Sequence, residues 1–151
     1  MAATFTVTNN NDSGAGSLRQ AITDADAAGG SSTINFASSV SGTISLSSAL
    51  PILSSSVTID GSGAAGGRVT IDGGNANRIF FAGDGNPITL NLVNLSLQNG
   101  LAKGGNGGSG AGGGLGAGGA LFLNSGVTAT LTNTQFVGNA AQGGNGGSGM
   151  R

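Results

Sequence analysis

Cysteine, histidine, tryptophan and tyrosine are all missing from this sequence. Without cysteine there is no disulfide framework, which fits an extracellular protein that folds without one. Without cysteine or histidine, the usual donors for zinc and other transition metals are gone. Without histidine, a Ser-His-Asp nucleophile cannot be assembled. Charge is scarce too: 7% of residues are ionic and the net charge is −1. There is no basic stripe to displace phosphate counterions and no aromatic platform for bases, which excludes nucleic acid as a partner. No apolar run approaches the roughly 18 residues of a membrane helix. Met1-Ala2-Ala3 leads straight into FTVTN, with neither the basic nor the apolar part of a secretory signal. The expectation is then that a leader was removed or that export uses a signal outside this segment.

Glycine is what the sequence has in excess, 32 residues in 151, against a usual share of about 7%. The glycines keep no Gly-X-Y period, so collagen is excluded. Hydrophobic residues make up 37%, too many, at too low a net charge, for a disordered chain. Glycine-, threonine- and asparagine-rich composition with few charges is typical of secreted surface proteins.

Residues 88–110, ITLNLVNLSLQNGLAKGGNGGSG, recur as 127–149, VTATLTNTQFVGNAAQGGNGGSG, at one constant offset and without a gap. Thr89 aligns with Thr128, Leu92 with Leu131, Asn94 with Asn133 and Ala102 with Ala141. A fixed period in the range of roughly 20–50 residues is the mark of a solenoid or array.

Along the chain, TFTVTN (4–9) alternates as a strand and NNNDSGAG (9–16) is loop chemistry. A helix follows. Ser17 is placed to cap it, with Gln20 as its capping-box partner, and Leu18, Ala21, Ile22 and Ala25 recur at helical spacing. Gly29-Gly30 stops it. A helix this short needs tertiary support. The spacing predicts an N-terminal cap over residues 1–30, in which Leu18 and Ile22 cover the end of a sheet stack.

From residue 31 onward come short strands closed by Gly, Asn, Asp or Ser: TINF, GTISL, PILSSSVTID, RVTID, NRIFFAG, ITLNL, NLSLQN, GALFLN, VTATLTN and TQFVG. Such strands suit a sandwich, a barrel or a β-helix. The repeat spans more than one strand, hairpin turn pairs are missing, and the alternation slips phase at Val93-Asn94, so that Leu95 and Leu97 take over the face of Ile88, Leu90 and Leu92. These features favour an all-β, right-handed parallel β-helix with a short α-helical cap. Asn94 and Asn133 then sit at equivalent corners and are expected to form a side-chain ladder. A core stripe is expected from Ile59, Ile71, Phe80, Leu90, Leu97, Leu121, Leu131 and Phe136. The glycine-rich stretch 104–119 is expected as a loop thrown out from one corner, because it offers little apolar surface to bury. Its second copy is cut short at Met150-Arg151, as in a fragment of a longer array.

The opening FTVTNNNDSGAGSLRQAITDADA resembles the N-terminal segment of bacterial right-handed parallel β-helix proteins of the surface and exported class. VTIDG, LVNLSLQNG, GGALFLNSG and LTNTQFVGNAA resemble their coil repeats, as found in autotransporter passengers, polymorphic outer-membrane proteins and repeat adhesins. The resemblance implies export to the cell surface or medium, in many members through a C-terminal signal. It implies no particular activity.

Parallel β-helices also include polysaccharide lyases and hydrolases, and a glycosidase needs two carboxyl groups across the scissile bond. VTIDG occurs at 57–61 and again at 69–73. Asp60 and Asp72 are therefore the catalytic candidates, if the two copies stack, with Arg68 and Arg78 flanking them. The competing reading is turn chemistry, since Asp before Gly satisfies its own backbone. The regular Thr128, Thr130, Thr132 and Thr134 read as ordinary outward strand residues. GNGGSG has neither the aspartates of a calcium nonapeptide nor the context of a phosphate loop, and no cofactor is expected. The sequence thus points to a non-catalytic structural rod. Its expected partners are further coils of the parent chain, self-association through an open C-terminal coil, and a host or matrix glycan or protein. The rivals are a carbohydrate-active enzyme and a self-assembling fibre unit.

Overall fold

The computed structural model describes residues 2–149; the expected truncation at Met150-Arg151 lies outside them. The described residues are strand-rich, with one α-helix among them. The strands are β1 (Ala3–Val7), β2 (Ser31–Phe36), β3 (Ser41–Ser45), β4 (Ser56–Asp60), β5 (Ala65–Asp72), β6 (Phe80–Ala82), β7 (Ile88–Val93), β8 (Leu95–Gln98), β9 (Leu101–Lys103), β10 (Leu121–Leu123), β11 (Val127–Thr132), β12 (Gln135–Val137) and β13 (Ala140–Gln142). They form four sheets, ordered β1-β2-β4-β7-β11, β3-β5-β8-β12, β6-β10 and β9-β13. Every strand pairing is parallel. Parallel neighbours cannot be joined by a tight hairpin, so the chain leaves each sheet, passes elsewhere and returns.

The sequence repeat sets the register of the last return. Ile88 pairs with Val127, Ser96 with Gln135 and Leu101 with Ala140, all at the offset that relates the two copies of the repeat. Earlier returns are shorter: Ser32 pairs with Val57 and Val57 with Leu90. The lengthening of the last return coincides with the glycine-rich stretch.

Alternation places the core. In the first sheet, Phe5, Ile34, Ile59, Leu92 and Leu131 are successive ladder partners. In the second sheet, the matching row is Ile44, Ile71, Leu97 and Phe136. Ile34, Ile59, Ile71, Leu92 and Leu97 are fully buried, whereas Leu131 is 44% and Phe136 46% exposed. This corrects the core stripe at its last two members. Their strands, β11 and β12, are the outermost of their sheets among the described residues, and an inward-facing side chain is buried only when another layer covers it.

The helix α1 (Leu18–Ala28) forms where its spacing predicts. The Ser17 hydroxyl accepts the Gln20 N–H at 3.1 Å. Gly29, at φ 67°, ends the helix and donates its N–H to the Ala25 carbonyl. The reciprocal half of the capping box does not form, because the Gln20 side chain donates to Asp24 at 2.8 Å instead. Leu18 and Ile22 are fully buried, in one cluster with Val7 and Ile34, as α1 packs on β1 and β2.

Candidate functional site

Asp60 ends β4 in the first sheet, and Asp72 ends β5 in the second. The ladder neighbours of Asp60 are Asn35 and Val93; those of Asp72 are Ser45 and Gln98. The two carboxylates therefore do not stack. The VTIDG copies occupy two walls, not two layers of one wall. The short connection from Asp60 to Ala65 cannot leave a parallel sheet and return to it.

Each carboxylate is occupied locally. Asp60 accepts the backbone N–H of Ser62 at 2.9 Å and its hydroxyl at 2.6 Å. Asp72 accepts the Gly74 N–H at 2.7 Å, the Gln98 amide at 3.0 Å and the Asn99 amide at 3.2 Å. The Gly74 N–H first, then Gln98 and Asn99, hold its carboxyl below the usual range. The flanking arginines do not join them. Arg68 donates to the Leu95 carbonyl at 2.9 Å. Arg78 donates to the Gly118 and Ala117 carbonyls at 3.0 and 2.7 Å. Its guanidinium also lies over the stacked rings of Phe81 and Phe122. The ion pair among the described residues is Asp12 with Arg19, at 2.9 Å. Burial pushes the Asp12 carboxyl up, and hydrogen bonds from Ser47 and Arg19 outweigh it, leaving the carboxyl below its ordinary value. Among the described residues no group of three or more acidic, His or Cys residues converges, and no helix is long and apolar enough to cross a membrane.

Asn94 and Asn133 occupy equivalent corners, with φ of 53° and 46°. Asparagine tolerates this left-handed conformation because its short amide bonds locally. The contact between layers here is backbone: the Asn94 N–H donates to the Thr132 carbonyl at 3.0 Å. Side-chain bridging occurs at other asparagines. Asn139 accepts the Gly100 N–H at 2.7 Å and donates to the Leu97 carbonyl at 2.9 Å. Asn77 donates to the Leu46 carbonyl at 3.1 Å, and Asn106 accepts the Asn145 N–H at 2.9 Å. Sequence reasoning missed Asn139 and Asn77; for Asn139 the signal was its place opposite Gly100 in the repeat.

The glycine stretch holds the least expected geometry. It is not a free loop. Gly104, Gly107 and Gly110 donate to the carbonyls of Gln142, Asn145 and Ser148. Ala111 and Gly114 donate to Gly108 and Gly105, and Gly144 and Gly147 donate to Gly114 and Ala111. Three backbone segments thus bond in a ring, each using every third residue. Three residues per turn is the period of a polyproline II helix. A Cβ at Gly104, Gly113, Gly144 or Gly147 would overlap a carbonyl oxygen of a neighbouring segment, whereas one at Gly105, Gly108 or Gly112 would meet nothing. Backbone hydrogen bonds, not apolar burial, order the stretch. What these elements can do chemically is brace: carboxylates cap turns, asparagines bridge layers and glycines let backbones touch. No family model, curated protein or solved structure matches the chain.

Proposed function

We propose that the chain is part of a right-handed parallel β-helix that works as a non-catalytic structural rod in a bacterial cell-surface or secreted protein of the adhesin kind. One observation carries the reading: the two repeated blocks pair in register along three sheets. A block of this kind adds length without adding new chemistry, as a spacer requires. The bonding of Asp60 and Asp72 to their own turns supports a bracing role over catalysis. Residues 1–30 serve as the cap. Further coils of the parent chain cover Leu131, Phe136 and Val137, the half-exposed apolar residues of the last layer. A host or matrix glycan or protein is the partner of the exposed faces.

The test is incubation with a panel of plant, bacterial and animal polysaccharides, reading new reducing ends and unsaturated sugar products. The rod reading expects neither. Cleavage that disappears in Asp60→Asn or Asp72→Asn would replace it with the lyase or hydrolase reading. A self-assembling unit is the second reading, favoured by the same exposed residues. With α1 closing one end, contact between open ends joins two chains and stops there. Light scattering distinguishes these: monomers or dimers fit a capped rod, and filaments would show that the cap does not close the stack.

A further inference from the structure

The outer face of the first sheet carries a groove of about 320 Å³, lined by Ser31, Ser56, Thr58, Thr89 and Asn91 with the backbone between them. No ionisable group and no aromatic ring lines it. The ladder aligns these side chains in rows. Thr33, Thr58 and Asn91 are successive partners, and Ser31 partners Ser56. Each step is one strand spacing, about 4.8 Å.

Two internal hydrogen bonds set the polarity of the groove. The Ser56 hydroxyl accepts the Thr89 N–H at 3.0 Å, and the Thr58 hydroxyl accepts from the Asn91 amide at 3.2 Å. Each hydroxyl keeps its own hydrogen to give away, and the Asn91 carbonyl oxygen keeps its acceptor capacity. The groove therefore offers donors at Ser56 and Thr58 beside an acceptor at Asn91, held in place by the sheet. A charged ligand finds no counter-charge here, and a flat apolar ligand finds no ring. A molecule that both gives and takes hydrogen bonds at several neighbouring points, and carries no charge, meets the whole set.

From this pattern we propose that the groove is a binding site for a neutral glycan, with Ser56, Thr58 and Asn91 contacting its hydroxyl groups. The proposal rests on the reading of the exposed faces as partner surfaces and names one face and one ligand class; the stacked rod itself needs only the ladder pairing, so it stands or falls separately. It is open and lacks a stacking ring, so the affinity for a short oligosaccharide is about 1 mM.

The test is an amide NMR titration of the whole chain with glucose, galactose and mannose hexamers, with heparin as the charged comparison. At least one neutral hexamer is expected to shift Ser31, Ser56, Thr58, Thr89 and Asn91. Thr58→Val, which keeps the branched shape, should weaken that binding about tenfold while leaving the rest of the spectrum in place. The proposal is overturned if no neutral hexamer moves these amides, if heparin alone does, or if Thr58→Val binds as the unaltered chain does.

Discussion

Gly144 donates its backbone N–H to the Gly114 carbonyl at 2.8 Å, and a side chain on Gly144 would overlap the carbonyl oxygen of Gly105. Gly105 is its counterpart one repeat earlier, so at this position the two copies of GGNGGSG meet backbone to backbone, with Asn106 adding a side-chain bond to the Asn145 N–H. Gly144→Ala and Gly113→Ala should each cost about 1–3 kcal/mol by overpacking and speed hydrogen exchange at Gly104, Gly107 and Gly147. Gly105→Ala and Gly112→Ala, where a Cβ meets open space, should stay within about 0.5 kcal/mol. Equal effects in the two groups would mean that the segments are not packed.

Asp72 supplies a pH dependence. Its folded pKa lies below the unfolded one, through Gly74 first and then Gln98 and Asn99. The stabilisation is complete above the unfolded value, about pH 4, and is lost as pH falls through the folded value. Thermal stability should therefore fall as the pH drops below about 4, and Asp72→Asn should remove part of that slope while lowering stability at neutral pH. Identical slopes in the two proteins would contradict the assignment.

The N-terminal helix depends on tertiary packing. Ile22→Ala should cost about 2–5 kcal/mol, as for other fully buried aliphatic residues. Ser17→Ala should cost about 1 kcal/mol through loss of the bond to Gln20. Chemical denaturation measures both, and the cap assignment predicts that Ile22→Ala has the larger effect.

Arg78 ties the return of the glycine stretch to the third sheet. Arg78→Met keeps the length of the side chain but removes two hydrogen bonds and the cation above Phe81 and Phe122. It should lower stability by about 1–3 kcal/mol and loosen Gly118 and Gly119 in hydrogen exchange. Arg78→Lys should not restore the wild type, because one ammonium cannot reproduce the forked geometry.

The strand-rich architecture was legible where side chains alternate. The phase slip at Val93-Asn94 marked the corner between β7 and β8, and Ser17, Leu18 and Ile22 marked the helix. Other features escaped. β9 and β13, LAK and AAQ, carry too few apolar residues to read as strands alone; only their equivalence in the repeat pointed to them. The stacking of Asp60 and Asp72 stayed open, because sequence similarity does not say whether two copies lie in adjacent layers or on adjacent walls; their turn chemistry was legible from Asp before Gly. The order in the glycine stretch was hidden for a physical reason. Backbone-to-backbone bonding leaves no hydrophobic pattern, only glycine at every third contact. Leu131 and Phe136 show the converse: the pattern marks which way a side chain faces, not whether anything covers it.

The in-register parallel stack is the central claim, and the absence of cysteine makes it directly measurable by paired cysteines. Thr58, Asn91 and Thr130 are successive ladder partners in β4, β7 and β11. Neighbours lie about 4.8 Å apart, within the Cα window for a disulfide of about 4.4–6.8 Å, and next-but-one partners lie about 10 Å apart. Mild oxidation should link Thr58→Cys with Asn91→Cys, and Asn91→Cys with Thr130→Cys, while leaving Thr58→Cys and Thr130→Cys unlinked. Linkage of the outer pair, or failure of the Asn91 and Thr130 pair, would contradict the stack.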